Sequence, residues 1–218
     1  MHHVSFADAF AGLPDEIDVE FLRPEREAGT HVALTRLLSD AELERLDTFG
    51  SERRRHTFTL GRAAARLLLA RRLGIEPRTI ELAVADDGAV DVVGYDLQLS
   101  ISHTEEAALA AVSPRAIGID IEPIRQRVAD LYTYVLHPEE HGLLEGAEDV
   151  NSLTLRAWVV KESVLKATRV GLRRSPKDVR LTYEAGGSGV ARLPEGDAWQ
   201  FQYVERDGFV LAIAFPFS

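Results

Sequence analysis

Hydrophobic and polar positions change rhythm several times along the chain, and each rhythm predicts an element. "VEFLR" (19–23) and "THVALTRLL" (30–38) are apolar enough to read as strands. In "LSDAELERLDTF" Ser39 precedes Glu42 by three residues, a capping-box pattern that starts a helix. "FTLGRAAARLLLARRLG" is made of strong helix formers, stops at Gly74 and places Arg71 and Arg72 at the negative end of the helix dipole. "TIELAVADDGAVDV" reads as a strand, a turn at Asp87-Gly88 and a second strand. "LQLSISH" sets Leu97, Leu99 and Ile101 against Gln98, Ser100 and Ser102, a half-buried strand. "AALAAV" and "IGIDIE" are further strands, separated by a break at Ser113-Pro114. Pro138 in "HPEEHGLL" suits a first helical position, and "SLTLRAWVVKESVLKATRVGL" predicts a long helix ending near Gly171. The tail holds four short strands with turns between, the signal of an antiparallel meander. Each half thus offers a long helix followed by antiparallel strands. The expected fold class is α+β, two similar lobes joined around Pro114, with domains 1–113 and 114–218.

Two of these elements carry chemistry. In "IGIDIEPIR" a strand would put Ile117, Ile119 and Ile121 on one face, packed into a core, and Gly118, Asp120 and Glu122 on the other. Two carboxylates two positions apart lie about 6.5–7 Å apart at their Cα atoms, close enough to repel unless a cation holds them. On the long helix, Leu153, Ala157, Val160, Val164 and Ala167 form an apolar stripe; Trp158, Glu162, Leu165 and Lys166 fall on another side. Glu162, one turn after Trp158 and beside Leu165, is expected to be partly desolvated. Lys166 stands four residues on, the favourable order for a Glu–Lys pair. Lys161 points about 100° away round the helix. An ordinary salt bridge and a solvated strand face would explain either element alone. Together they supply three carboxylates, Asp120, Glu122 and Glu162, an oxygen-only donor set that suits Mg²⁺ or Mn²⁺ with substrate phosphates as further ligands.

Composition narrows the classes. The chain has 218 residues, 45% of them hydrophobic and 28% charged, which is ordinary globular composition. It has no cysteine, so thiolate chemistry and disulfides are excluded. A formal net charge of −10 argues against general nucleic-acid binding. No apolar run is long enough to span a bilayer and no signal peptide is evident, so a soluble cytoplasmic protein with no membrane partner is expected. "SERRRHTF" is nonetheless a basic patch within an acidic chain. Arg54 and Arg62 would be two turns apart on a continuous helix, with Arg66 one turn further. They are either a solvated face or a guanidinium clamp on phosphate, and spacing does not choose. Ser102 and His103 close a strand in "SISHT".

In order, "RRRHTFTLGRAAARLLLARRLG", "SISHT", "IGIDIEPIR" and "WVVKESVLKA" resemble the 4′-phosphopantetheinyl transferases of the surfactin-type, two-lobe class. The pair G-[IV]-D-[IV]-E and W-x-x-K-E-[SA]-x-x-K is diagnostic, and the resemblance spans roughly residues 39–183. It implies two lobes related by a pseudo-twofold, each a long helix on a small antiparallel sheet. The first lobe would bind coenzyme A, the second would carry the metal and catalytic motifs, and the active site would lie at their junction. The implied reaction moves the phosphopantetheine arm of coenzyme A to a serine of an apo acyl- or peptidyl-carrier protein, with Mg²⁺, and releases adenosine 3′,5′-bisphosphate. Asp120, Glu122 and Glu162 match the metal ligands. Glu162, Lys166 and Asp120 match the catalytic set. Arg54, Arg62, Ser102, His103, Lys161 and Lys166 match coenzyme A contacts. A monomer is expected, because one chain holds both lobes. Where many members carry Gly-Lys-Pro before the "SH" motif, this chain has "DDGAVDV", so another basic group must take that load. A Mg²⁺-dependent phosphohydrolase acting on a nucleotide-like substrate, and a non-catalytic coenzyme A-binding regulator, remain alternatives on the residues alone.

Overall fold

Val19, Phe21 and Leu22 are buried along Asp18–Leu22, the first strand (β1) of the computed structural model. The structure describes residue 10 and residues 12–24, 30–125, 128–170 and 173–217, and the chain divides after Pro114 into two compact units.

In unit 1, β1 is followed by helices Thr30–Thr35 (α1), Asp40–Asp47 (α2) and Glu52–Leu73 (α3). Four strands complete it: Leu82–Val84 (β2), Val90–Val92 (β3), Gln98–His103 (β4) and Ala108–Ser113 (β5). They form an antiparallel sheet in the order β1-β5-β4-β3-β2. Ala63, Ala64, Leu60 and Leu68 of α3 pack with Leu99, Ala108, Ala110 and Val112 of the sheet. The alanines bring α3 close to the strands.

Three sequence expectations change here. The segment from Thr30 is helical, not extended. Leu34, Leu37 and Leu38 recur at helical spacing; Leu34 and Leu38 are buried while Val32 is exposed, so the segment packs one stripe against its neighbours. Helix α3 starts six residues earlier than its apolar pattern suggests, because Ser51 caps it by accepting the Arg54 amide. Arg54, Arg62 and Arg66 therefore share one helix. On β4, Ser100 and Ser102 are buried as well as Leu99, so both faces of that strand are covered. The capping box on α2 is present: Glu42 accepts the Ser39 amide and Ser39 accepts the Glu42 amide. Gly74 ends α3 in the left-handed conformation, which only glycine adopts at little cost.

Unit 2 repeats the plan. Gly118–Pro123 (β6) leads through a short helix Tyr132–Val135 (α4) and a 3₁₀ turn Pro138–Leu144 to the long helix Val150–Ala167 (α5). Four strands follow, Arg180–Tyr183 (β7), Ser188–Arg192 (β8), Ala198–Arg206 (β9) and Phe209–Pro216 (β10), in an antiparallel sheet ordered β6-β10-β9-β8-β7. The α+β class is therefore as expected. Helix α5 stops at Ala167 with Thr168 as its C-cap; Gly171 lies outside the described residues. Among the described residues no helix is long and apolar enough to cross a membrane.

Candidate active site

On β6, cross-strand pairing sets Gly118, Asp120 and Glu122 opposite Ala214, Ala212 and Val210 of β10. Those three β10 residues belong to the core under α5. The acidic face of β6 is thus the helix-covered face, and Ile119 and Ile121 are buried on the other. The expected division into a core face and a polar face gives way to a strand covered on both sides.

Gly118 makes the close approach of α5 possible. A Cβ there would overlap the Ser163 carbonyl oxygen and the Ala167 amide. With α5 that close, Lys166 Nζ donates to Asp120 Oδ1 at 2.7 Å. Lys166 therefore reaches across to the strand, where the sequence suggested a pairing with Glu162 four residues before it.

The three carboxylates share one electrostatic neighbourhood. Burial, helped by the Asp120 charge and opposed by Lys166, pushes the Glu162 carboxyl up to about 7. Burial also pushes Glu122 up to about 7, helped by Asp120 and Glu162 and opposed by Lys166. The Trp158 side chain hydrogen-bonds Glu122. Trp158 in turn lies 6.1 Å from Tyr134, centroid to centroid. Glu162 Oε1 is buried with no hydrogen-bond partner. The structure brings Asp120, Glu122, Glu162 and Lys166 together.

These groups have the donor type and the excess negative charge that suit a hard divalent cation. They are not a ready-made cage. Among the described residues no three Asp, Glu, His or Cys side chains are grouped so as to hold a metal ion, and Lys166 occupies Asp120 Oδ1. Mg²⁺ is commonly bound through one or two carboxylates, with waters and substrate oxygens completing the shell, so a preformed three-carboxylate cage is not a requirement.

Lys161 lies elsewhere. It is fully buried, and its ammonium donates to Glu140 Oε2 at 2.5 Å and to the Val135 carbonyl at 3.0 Å. Glu140 also accepts the His137 and Leu181 amides. One ion pair thus ties α5, the 3₁₀ turn and β7 together. Burial lowers the Lys161 pKa, and Glu140 opposes that shift. The expected coenzyme A contact at Lys161 is replaced by a structural one, because its side of the helix faces the protein interior.

In unit 1 a cavity of about 190 Å³ is lined by Phe58, Arg62, Val90, Ile101 and His103, with Gly61 and Gly88. Gly61 seats the histidine: a Cβ there would lie 3.0 Å from His103 Cδ2 and 3.2 Å from Ile101 Cγ2. Of the basic residues expected to meet coenzyme A, Arg62 and His103 share this cavity. Arg54 lies instead over the Phe49 ring at 4.4 Å. Ser102, next to His103 on β4, is on the opposite face by alternation and does not line the cavity. Arg66 is fully buried and bonded to Glu42, Pro77 and Ile80. Sequence reading passed over Gly61 and Glu42; the Ser39–Glu42 capping pattern located Glu42 without indicating its second partner.

Residues 116–214 match the 4′-phosphopantetheinyl transferase superfamily. The 4′-phosphopantetheinyl transferase HetI of Nostoc sp. is 30% identical over 215 residues, covering 93% of this chain and 88% of that protein. A 4′-phosphopantetheinyl transferase of Bacillus subtilis is 24% identical over 172 residues, covering 78% and 77%. Enterobactin synthase component D of Escherichia coli O157:H7 is 40% identical over a shorter stretch of 74 residues, covering 33% and 36%. A holo-(acyl-carrier-protein) synthase of Bacillus anthracis, solved with coenzyme A, covers 47% of this chain and 96% of its own at 17% identity and a TM-score of 0.42. The chain belongs to the 4′-phosphopantetheinyl transferases. It is therefore an enzyme that transfers phosphopantetheine to a carrier protein.

Proposed function

We propose that this enzyme takes the phosphopantetheine arm from coenzyme A, attaches it to a serine of an apo acyl- or peptidyl-carrier protein and releases adenosine 3′,5′-bisphosphate, with Mg²⁺ as the metal. The observation that carries this reading is the cluster of Asp120, Glu122, Glu162 and Lys166, with two carboxyls held near pH 7 by burial and mutual charge. Asp120, Glu122 and Glu162 would hold the cation. When bound, it would supply electrostatic stabilisation of the diphosphate and of the leaving bisphosphate. Lys166 balances charge on the same phosphates and keeps Asp120 oriented. Glu162 is the acceptor we assign to the serine proton, directly or through a water: one of its oxygens would serve the cation, and Oε1, which has no hydrogen-bond partner, the proton. Unit 1 contributes the coenzyme A-binding part: Arg62 and His103 are assigned to a phosphate of coenzyme A in the cavity they line.

The carrier is assigned to segment 124–145, where Ile124, Leu131, Tyr134 and Leu143 are exposed apolar side chains. Carrier proteins are generally acidic and this chain carries −10, so long-range attraction does not drive docking. Raising salt should weaken carrier binding only slightly.

Two measurements test the core of the reading. Glu162→Gln should lower kcat about 10²–10⁴-fold, the usual range for loss of a general base, with coenzyme A affinity little changed; unchanged turnover removes Glu162 from the mechanism. Mg²⁺ binding near pH 7 should release on the order of one proton, because ligand carboxyls must be ionised. Calorimetry in buffers of different ionisation enthalpy reads that release directly, and binding without it would contradict the assignment.

A further inference from the structure

Two guanidinium groups share one carboxylate beside the unit 1 cavity. Glu42 Oε2 accepts Arg66 Nε at 2.6 Å and the Ser39 amide at 3.1 Å. Arg66 is fully buried and also donates to the Pro77 and Ile80 carbonyls. Its Nε and Nη1 donors are committed to the fold, and its charge neutralises Glu42. Arg62 is the second cation. Its Nε lies 3.5 Å from Glu42 Oε1, an oxygen that has no hydrogen bond. Its guanidinium sits 5.2 Å above the Phe58 ring, and its side chain is only 10% exposed. Its Nη1 is buried with no partner, yet the residue lines the cavity. The cluster therefore carries one positive charge more than its carboxylate cancels, and both the excess charge and the unmet donor belong to Arg62. A buried donor left unmet costs free energy until an acceptor arrives. A planar cation with a free edge suits a phosphate oxygen.

We propose that Glu42 is a positioning residue for substrate binding: its ion pair holds the Nε edge of Arg62 against the cavity wall, so that a small turn of the guanidinium brings the unmet Nη1 to a phosphate of coenzyme A. Arg66 supplies the counter-charge that lets Glu42 do this without neutralising Arg62. The proposal rests on the reading of Arg62 as a phosphate contact, and it explains why the cavity needs no lysine from the "DDGAVDV" turn.

A double-mutant cycle on the full chain separates the two ideas. Wild type, Glu42→Gln, Arg62→Met and the double variant are titrated with coenzyme A by calorimetry, with melting temperatures recorded alongside. Each single substitution is expected to weaken binding about tenfold, within the range of coupling between contacting residues. In the Arg62→Met background, Glu42→Gln should weaken it no further. Equal losses in both backgrounds would make Glu42 a stability residue and overturn the proposal. Unchanged affinity in Arg62→Met would overturn the reading of Arg62 itself, and the role of Glu42 with it. Glu42→Asp, which keeps a charge beside Arg66 but shortens the reach to Arg62, covers the case in which the amide variant does not fold. Its loss must likewise vanish in Arg62→Met, and a loss that persists there overturns the proposal.

Discussion

Arg71 of α3 reaches Glu20 on β1, and Lys166 of α5 reaches Asp120 on β6. Five residues before each of these cations stands a fully buried one, Arg66 or Lys161, bonded to a capping-box glutamate, Glu42 or Glu140. The two units thus share element order, sheet order and two ion pairs at the same helical offset. They part at two places. One residue after the buried cation, unit 1 has Leu67 and unit 2 has Glu162. Two residues after the strand acid, unit 1 has Leu22 and unit 2 has Glu122. Leu22 belongs to the hydrophobic core of unit 1, and Leu67, half-buried, packs against it. Glu122 and Glu162 are carboxyls pushed up to about 7. One frame therefore serves as a packed core in one unit and as a store of uncompensated negative charge in the other. A fold that tolerates that charge gives up stability.

The largest expected effect tests what the two units share. Arg66→Ala and Lys161→Ala each strand a buried carboxylate, and each should cost about 3–5 kcal/mol in chemical denaturation. Lys166→Ala leaves Asp120 without its ammonium as well, but that ammonium is partly exposed and solvent can take its place, so the stability loss should be smaller while activity is removed. Comparable destabilisation by Lys161→Ala and Lys166→Ala would break the division between a structural and a functional lysine.

A smaller effect tests what the units do not share. Glu122→Leu with Glu162→Leu rewrites unit 2 in the pattern of unit 1. It should abolish Mg²⁺ binding and stabilise the metal-free protein by about 1–3 kcal/mol, the scale of burying one or two leucines in place of desolvated acids. A lower melting temperature would mean that the carboxyls hold the unit together.

The smallest effect is the pH dependence of metal-free stability. A carboxyl raised from 4.5 to about 7 binds its proton more tightly in the folded chain than in the unfolded one. Between those values folding takes up protons, so the contribution of these groups falls as pH rises and levels off above about 7. The wild type should therefore lose more melting temperature between pH 5.5 and pH 8 than the double leucine variant does. Parallel curves would show that Glu122 and Glu162 titrate normally.

Much of this was legible in the chain before folding. The capping pair Ser39–Glu42, the stop at Gly74, the alternation in "LQLSISH" and the four-strand tail are local signals, and local signals set element type. "THVALTRLL" was not legible as a helix, because its leucine spacing gains meaning only once α3 is there to receive one face. The spacing of Asp120, Glu122 and Glu162 put three acids on rigid elements. It did not say that the acids face the helix; Gly118 and the close approach of α5 decided that.

What the sequence by itself determined is the order and kind of the elements and the residue types available for chemistry. What only the tertiary structure decided is which charge meets which. Lys161 and Lys166 lie on different sides of one helix, and their partners are 21 and 46 residues away along the chain. Arg62 and Arg66 are one turn apart, yet one is spent on carbonyls and the other lines a cavity. Pairing depends on desolvation and on distances that close only when strands and helices pack, and no local pattern encodes either.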